Sequence, residues 1–282
     1  MKRSLKRRVG TVFRSCQKVG RSVGLALHPL SKVGLHAVLA DIGKPRNSAV
    51  MVHSSLSACG YVPGGAPTVI EALRTWCAGA TLVMPTHTYC YPGSDGSLTT
   101  FDPKSTSSVV GTITDVFWRR PDVVRSLHPT HSLAAEGPMA SALIAGHELC
   151  NTPCGSDTPY RRLVQWDAGV LMFGVTFDPY TLFHTAEDAA GVPYLYESKP
   201  YVLHVREATG AVRDFPLRRQ DMKVLRRFGE MDKWLESRGL SQRYRCGRGE
   251  IRWVPHAAAV HEELCTALRA DPWFLTHGWP RG

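Results

Sequence analysis

Short apolar runs that alternate with amphipathic segments most constrain the fold of this chain. Residues 49–53, 81–84 and 170–175 are rich in Val, Leu and Met, and each run has the length of a buried strand. Residues 67–77 lie between the first two runs, and their apolar positions follow the spacing of a helix. Alternating strands and helices predict helices layered on a central sheet. We therefore expect an α/β fold, a layered α/β/α sandwich with a mixed central sheet.

The rest of the chain contains no convincing linker, which favours a single domain. Further helices are predicted over residues 31–42, 109–119, 138–145, 163–168, 221–237 and 256–269. Residues 201–205 and 211–215 flank a Thr-Gly pair and predict a hairpin. Residues 89–108 are rich in Gly, Ser, Thr, Asp and Pro, and we expect a long active-site loop there. We divide the chain into a basic extension, 1–30, and one domain, 31–282.

The positive charge of the chain is concentrated at its N-terminus. The formal net charge is +10, but the first 40 residues contain nine of the 34 Lys and Arg residues and no Asp or Glu. The remainder is nearly neutral, with 25 basic against 24 acidic residues. A neutral body argues against a nucleic-acid-binding domain, which needs a basic face.

The basic extension is compatible with several roles. Arg14, Lys18 and Arg21 interrupt its apolar residues, which argues against a secretory signal, while its composition is similar to that of an organelle transit peptide. Apolar residues spaced between the bases would suit a weak contact of residues 1–30 with an anionic membrane surface. The simplest expectation is an arm that is partly disordered or helical.

Hydropathy and cysteine spacing predict a cytoplasmic protein without a metal site. No run of about 18 apolar residues occurs, so we expect no transmembrane helix. The eight cysteines contain no CxxC pair, and Cys150 and Cys154 have no His-rich partner segment at metal-site spacing. Scattered cysteines of this kind are typical of a reduced compartment.

The run FGVTFDPYTLFHTAE, residues 173–187, carries the best candidates for proton transfer. An apolar strand leads into a polar turn at Asp178, and a helix follows that carries His184 and Glu187 on one face. A carboxylate beside an imidazole fixes its tautomer and stabilises the imidazolium that forms on protonation. We predict His184 as a general base, Glu187 as its orienting residue, and Asp178 as a second orienting or helix-capping residue.

Polar groups at two strand or helix ends predict anion contacts. His53, Ser54 and Ser55 end the run MVHSSL, at the edge where α/β sheets bind ligands. Their hydroxyl, imidazole and backbone N–H groups suit a pyrophosphate, although a serine-capped helix start would have the same sequence. Ser107 and Thr112 lead into a predicted helix and form a second candidate contact.

Four blocks of the sequence, taken together, indicate a family. They read MVHSSL followed by CGYVPGGAP, then TLVMPTHT, then RSLHPTHSLA, then GVTFDPYTLFHTAE. In this order and spacing they resemble the antibiotic acetyltransferase family, whose best-known members are aminoglycoside 3-N-acetyltransferases. The resemblance spans about residues 33–195 and continues more weakly to about residue 275. It implies an acetyl-CoA-dependent N-acetyltransferase that modifies the 3-amino group of an aminoglycoside or a related amino sugar.

The same resemblance implies roles for the polar residues. It implies a coenzyme A site at the MVHSSL segment and an acetyl-donor site lined by His128, His131 and Ser132. It also implies direct transfer to the amine, with His184 as base and without a metal. The oligomeric state stays open.

The acceptor is less well defined than the donor. Aminoglycosides are polycations, so a site for them should collect carboxylates. Asp95 and Asp102 in the long loop and Asp188 in the helix are the candidates for substrate binding. The acceptor could instead be a different biosynthetic amine.

Two other kinds of function compete with this hypothesis. Cys59, Cys90 or Cys154 could act as the nucleophile of an acyltransferase or amidohydrolase, although none has a recognisable nucleophile context. A non-catalytic binding module could use the basic arm.

Overall fold

The computed structural model describes residues 29–88, 90 and 99–277. Within these ranges the strands are β1 Ala49–Ser54, β2 Thr81–Pro85, β3 Thr100–Phe101, β4 Val124–Arg125, β5 Leu133–Glu136, β6 Gly169–Phe173, β7 Tyr201–Arg206, β8 Val212–Leu217, β9 Leu225–Arg226, β10 Gln242–Cys246, β11 Gly249–Val254 and β12 Thr276–His277. The α-helices of the same ranges are α1 Lys32–Ile42, α2 Gly65–Trp76, α3 Thr112–Phe117, α4 Ala140–Ile144, α5 Pro159–Gln165, α6 Phe183–Ala190, α7 Met231–Glu236 and α8 Ala257–Ala270.

Seven of the strands form a central mixed sheet in the order β10-β11-β6-β1-β2-β5-β4. β1 pairs in parallel with β2 and with β6, whereas β11 and β5 are antiparallel to their inner neighbours. The three inner parallel strands are buried almost throughout, as expected for strands covered by helices on both faces. Their carboxyl ends meet at one edge of the sheet.

Two separate hydrophobic cores cover the two faces of the sheet. One contains Leu35 and Leu39 of α1 together with Leu73 of α2. The other contains Leu163 of α5 and Leu264 of α8, together with apolar residues of α6. The predicted α/β/α sandwich with a mixed central sheet is therefore confirmed.

Two small β-structures lie outside the central sheet. β3, β7 and β8 form a three-stranded sheet, in which β7 and β8 are the predicted hairpin. β9 and β12 pair as a short antiparallel ribbon, with Thr276 opposite Arg226. The ribbon fixes residues 221–228 beside the carboxyl edge of the main sheet.

The local predictions succeed where apolar periodicity is strong. The strands over 49–53, 81–84 and 170–175 and the helices over 31–42, 67–77 and 256–269 are confirmed to within about two residues. Two of the remaining helices are shorter than predicted, since α3 covers only Thr112–Phe117 and α4 only Ala140–Ile144. The helix predicted over 163–168 corresponds to α5, Pro159–Gln165, which begins four residues and ends three residues earlier than predicted.

One long helix prediction is wrong. Residues 221–237 contain only the short α-helix α7, because residues 225–226 form strand β9 and residues 228–230 form a 3₁₀ turn. Val224 and Phe228 are both buried in this segment. The apolar spacing therefore reflects an inward-facing extended segment, not a helical face.

Residues 1–28 of the basic extension, and residue 89 and residues 91–98 of the predicted active-site loop, lie outside the described residues. Among the helices of the described part, none is both long and apolar enough to cross a membrane.

Candidate active site

A cavity of about 1570 Å³ opens at the carboxyl edge of the parallel strands. Its walls come from the end of β1 and the loop after it, from the end of β2, and from residues 109–114, 175–184 and 219–228. His53, His131 and His184 all line it. The cavity therefore brings together segments that are far apart in the sequence.

His184 and Glu187 form a hydrogen-bonded pair in α6. His184 Nδ1 lies 2.5 Å from Glu187 Oε2, and the imidazole side chain is 14% exposed whereas the carboxylate is fully buried. A carboxylate only accepts, so Nδ1–H donates and neutral His184 carries its free lone pair on Nε2. The ring of Phe228 contacts the imidazole at a centroid distance of 5.4 Å. The pair has the geometry expected of an oriented general base.

Glu187 is held ionised by two positively charged or protonatable neighbours. Burial alone would raise the pKa of this carboxyl, but His184 and Arg226 outweigh burial and hold its pKa below the usual value. Arg226 Nε donates to Glu187 Oε1 at 2.9 Å. The carboxylate therefore uses one oxygen for the base and the other for the guanidinium.

Asp178 lies in the turn before α6 and lines the cavity. Its carboxylate accepts a hydrogen bond of 2.7 Å from the Thr176 hydroxyl and lies close to the backbone at Gly229. The structure therefore brings His184 and Glu187 into contact, while Asp178 faces Thr176.

Among the residues that the structure describes, the end of β1 places two polar atoms without hydrogen-bond partners beside the cavity. His53 Nε2 and Ser54 Oγ are buried and have no hydrogen-bond partner within the described structure. Burial, with a smaller contribution from His87, lowers the pKa of His53 to about 3, so its imidazole is neutral. Ser55 also lines the cavity, and its backbone N–H donates to the Phe173 carbonyl.

Tyr160 fixes a second neutral imidazole in the cavity wall. Its hydroxyl donates to the His131 carbonyl at 3.1 Å and lies 2.8 Å from His87 Nε2. Because the tyrosine proton is already used, His87 Nε2–H donates and Nδ1 carries the lone pair. Burial lowers the pKa of His87 to about 3 and that of His131 well below its usual value.

His128 and Ser132 lie behind this wall. His128 Nδ1 accepts from the backbone N–H of His131 at 3.0 Å, and burial lowers the pKa of His128 to about 3. Ser132 Oγ donates to the Thr86 carbonyl at 2.8 Å. Both residues brace the loop that carries His131.

The remaining predicted residues are dispersed. Thr112 lines the cavity, whereas the Ser107 hydroxyl accepts from Arg119. Asp102 lies 3.7 Å from Arg206, and Asp188 accepts from the Tyr196 hydroxyl at 2.7 Å. Asp95 lies outside the described residues.

Several residues of the cavity were not predicted from the sequence. Arg226 and Phe228 come from the segment mistaken for a helix, Gln220 directly precedes that segment, and Tyr180 follows Asp178 in the turn. His87 stands in a polar cluster at the end of β2, which was the available signal for it. Arg226 gave no local signal, since 39 residues separate it from Glu187.

The candidate metal ligands and the three candidate nucleophilic cysteines can be located within the described residues. The described residues contain no group of three or more His, Cys, Asp or Glu side chains that could hold a metal ion. Cys59, Cys90 and Cys154 are buried and lie outside the cavity wall. Burial also raises the pKa values of the Cys90 and Cys154 thiols, which disfavours the nucleophilic thiolates.

Comparisons with known proteins agree with this architecture. A family model described as aminoglycoside 3-N-acetyltransferase matches residues 51–264. Aminoglycoside N(3)-acetyltransferase IV of Salmonella sp is 32% identical over 254 residues, which cover 87% of this chain and 90% of that protein. The apoenzyme structure of aminoglycoside acetyltransferase AAC(3)-IVa is 28% identical, with a TM-score of 0.75, over 89% of this chain and 93% of that one.

A second structure of AAC(3)-IVa, a mutant in complex with a gentamicin, is 29% identical with a TM-score of 0.74. The alignment covers 88% of this chain and 92% of that chain. The family match, the identity over most of both chains and the shared fold lead to one conclusion. The chain belongs to the aminoglycoside 3-N-acetyltransferase family of acyltransferases.

Proposed function

We propose that this enzyme transfers the acetyl group of acetyl-CoA directly to an amino group of an aminoglycoside, at its 3-amino position, or of a related amino sugar. His184 serves as the general base, and Glu187 orients it. The observation that carries this proposal is the 2.5 Å contact between His184 Nδ1 and Glu187 Oε2 at the wall of the large cavity.

The proposed reaction needs one proton acceptor beside the attacking amine. Nε2 of His184 takes a proton from the amine as its nitrogen forms a bond with the thioester carbonyl carbon. The carbon–sulfur bond then breaks, and the coenzyme A thiolate leaves with the electron pair. Glu187 stabilises the imidazolium during this step, and the proton passes on to the thiolate or to solvent.

The carboxyl edge of β1 has the chemistry required to bind the donor. His53 Nε2 and Ser54 Oγ are buried polar atoms without hydrogen-bond partners in the described part of the chain, and such atoms gain stability when a ligand satisfies them. Phosphate and amide oxygens of coenzyme A can accept from the serine hydroxyl and from the loop N–H groups. Gly111, which has a φ of 122°, lines the same part of the cavity near the Ser54 carbonyl.

The part of the cavity wall that contains Asp178, Met222 and Leu225 favours a second candidate class of acceptor, amines that carry less charge. Asp178 is the carboxylate that lines the described wall, while Asp102 and Asp188 pair elsewhere. Met222 and Leu225 are 67% and 64% exposed and add apolar surface to the same wall. An amino sugar with few amines and an apolar substituent would suit this surface as well as a polycation.

The proposal is tested with purified protein, acetyl-CoA and a panel of amines. The panel contains aminoglycosides with and without a free 3-amino group, and amino sugars with a single amine. Release of free thiol reports turnover, and mass spectrometry of the product locates the acetyl group. Turnover that requires the 3-amino group supports the aminoglycoside assignment.

Other outcomes redirect or reject the proposal. Turnover only with monoamines would select the second substrate class. Acetyl-CoA that binds but supports no transfer to the panel would contradict the proposed acceptors. A protein lacking residues 1–30 should retain activity; salt-sensitive binding lost on truncation, without transfer in either form, would favour a binding module.

A further inference from the structure

Arg226 is a buried cation directly behind the proposed catalytic pair. Its side chain is 9% exposed, and its Nε donates to the fully buried Glu187 at 2.9 Å. Its Nη1 donates to the carbonyls of Asp221 and Val224 at 3.2 and 3.1 Å. Two carbonyls and a carboxylate therefore fix the guanidinium plane.

The segment of Arg226 also contacts the base itself. β9 is anchored by its pairing with β12, and the N–H of Arg227 donates to the Leu275 carbonyl at 2.8 Å. Two residues after Arg226, the Phe228 ring packs on His184 and on Phe183. One short segment thus holds Glu187 through charge and the imidazole through packing.

We propose that Arg226 is a positioning residue that acts through Glu187. Its charge keeps the buried carboxylate ionised, and its fixed geometry directs Oε2 towards His184 Nδ1. The result is a single tautomer of neutral His184, with the lone pair of Nε2 available to the acceptor amine. The inference rests on the proposed function for its kinetic consequence, but the tautomer itself can be measured without turnover.

The physical argument rests on the cost of an unpaired buried charge. Without Arg226, burial would favour the protonated form of Glu187. A protonated carboxyl group can also donate a hydrogen bond, so it would no longer require the proton of His184 to be on Nδ1. Lysine restores a charge but cannot bond the carboxylate and two carbonyls in one plane. A neutral replacement should therefore disturb the pair more than Arg226→Lys does.

The experiment compares Arg226→Met, Arg226→Lys and the matched control Arg227→Met. Arg227 is the adjacent arginine, but it pairs with Glu230 near the surface. Nitrogen-15 NMR of labelled histidines, assigned with a variant lacking His184, reports which ring nitrogen carries the proton. Steady-state kinetics report kcat and the KM for acetyl-CoA.

For Arg226→Met we expect a mixture of His184 tautomers and a kcat that is lower by about 10- to 100-fold, with KM for acetyl-CoA changed by less than about twofold. Arg226→Lys should lie between it and the parent enzyme, and Arg227→Met should match the parent. An unchanged tautomer and an unchanged kcat in Arg226→Met would overturn the proposal. If the parent enzyme shows no transfer, the proposed function fails while the tautomer comparison still decides the role of Arg226.

A double-mutant cycle with Glu187→Gln guards against loss of folding. Removing both partners leaves no unpaired buried charge, so the double variant should fold even where Arg226→Met does not. If Arg226 acts through Glu187, the double variant should be no slower than Glu187→Gln alone. Additive losses in kcat would show that Arg226 acts by another route and would reject the inference.

Discussion

The histidine of α6 and the histidines at the strand ends line one cavity but have different surroundings. His184 contacts a buried carboxylate, which is in turn bound to Arg226. His53, His87 and His131 pair with no carboxylate among the described residues, and burial keeps their pKa values far below 6.5. We therefore expect the same side chain to act as a proton acceptor at His184 and to stay neutral at the strand ends.

In the proposed mechanism, a carboxylate partner, more than position in the cavity, distinguishes the general base from the other histidines. Protonation of a buried imidazole is costly without a counter-charge. Glu187 supplies that charge to His184, and Arg226 keeps Glu187 able to supply it. The strand-end histidines are better suited to bind and shape, because they stay neutral during the reaction.

The largest expected effect comes from removing the paired histidine. His184→Ala should lower kcat by about 100- to 10,000-fold, because the amine loses its oriented proton acceptor. Its melting temperature should change little, because Arg226 still pairs with the buried Glu187 carboxylate when the imidazole is removed. Thiol-release kinetics and thermal unfolding measure the two quantities.

His87→Gln is the matched comparison for this prediction. Glutamine can still donate to the Tyr160 hydroxyl, so the variant should keep kcat within about tenfold of the parent. A loss as large as that of His184→Ala would show that both histidines transfer protons. The inferred difference in role between His184 and the strand-end histidines would then be wrong.

The sequence predicts some elements of the central sheet and the site much better than others. Val- and Met-rich runs identify β1, β2 and β6, and the three-residue spacing of His184 and Glu187 places them on one helical face. By contrast, β10 and β11 were not predicted, although β11 pairs with β6. β10 has the sequence QRYRC, and the charged residues of this edge strand hide its apolar pattern.

The role of Arg226 could not be predicted for a different reason. Its contact with Glu187 depends on how β9 pairs with β12, and nothing near Arg226 in the sequence encodes that pairing. Val224 and Phe228 are spaced four apart, which fits a helical face, but each is buried by a tertiary contact. Long-range packing overrode the local pattern here.

The next prediction concerns the effect of the buried histidines with lowered pKa values on acid stability. A histidine whose folded pKa lies near 3 binds a proton in the unfolded state below about pH 6.5 but not in the folded state. The unfolding free energy should therefore fall as the pH drops below about 6.5. Between about pH 7.5 and 5.5, each such histidine contributes a loss of about 1 kcal/mol, measurable by denaturant titration.

His128→Asn identifies the contribution of one buried histidine. The asparagine Oδ1 can replace Nδ1 as acceptor for the His131 N–H, but it does not titrate. This variant should lose about 1 kcal/mol less than the parent over the same pH interval. His36→Asn, in α1, serves as the control; equal behaviour of both variants would contradict the assignment of the acid effect to buried histidines.

A smaller effect is expected at the proposed donor site. Ser54→Ala removes a buried hydroxyl at the end of β1 that has no partner among the described residues. If that hydroxyl bonds coenzyme A, the dissociation constant should rise by about 3- to 10-fold, which corresponds to the net value of one hydrogen bond. Calorimetric titration measures this change, with Ser141→Ala on the exposed side of α4 as the control. Unchanged affinity would remove Ser54 from the donor site.

The smallest effect is expected from Asp178→Asn, and it tests what the exposed carboxylate does. An exposed ion pair is worth about 1 kcal/mol or less, so KM for a multiply charged acceptor should rise by no more than about fivefold while kcat stays constant. KM for an acceptor with one amine should not change, because His184 contacts that amine when it reacts. Asp122→Asn, in a surface charge cluster near Arg74, controls for net charge. A fall in kcat with both acceptors would instead make Asp178 a second orienting residue, and the catalytic group would then extend from α6 into the turn before it.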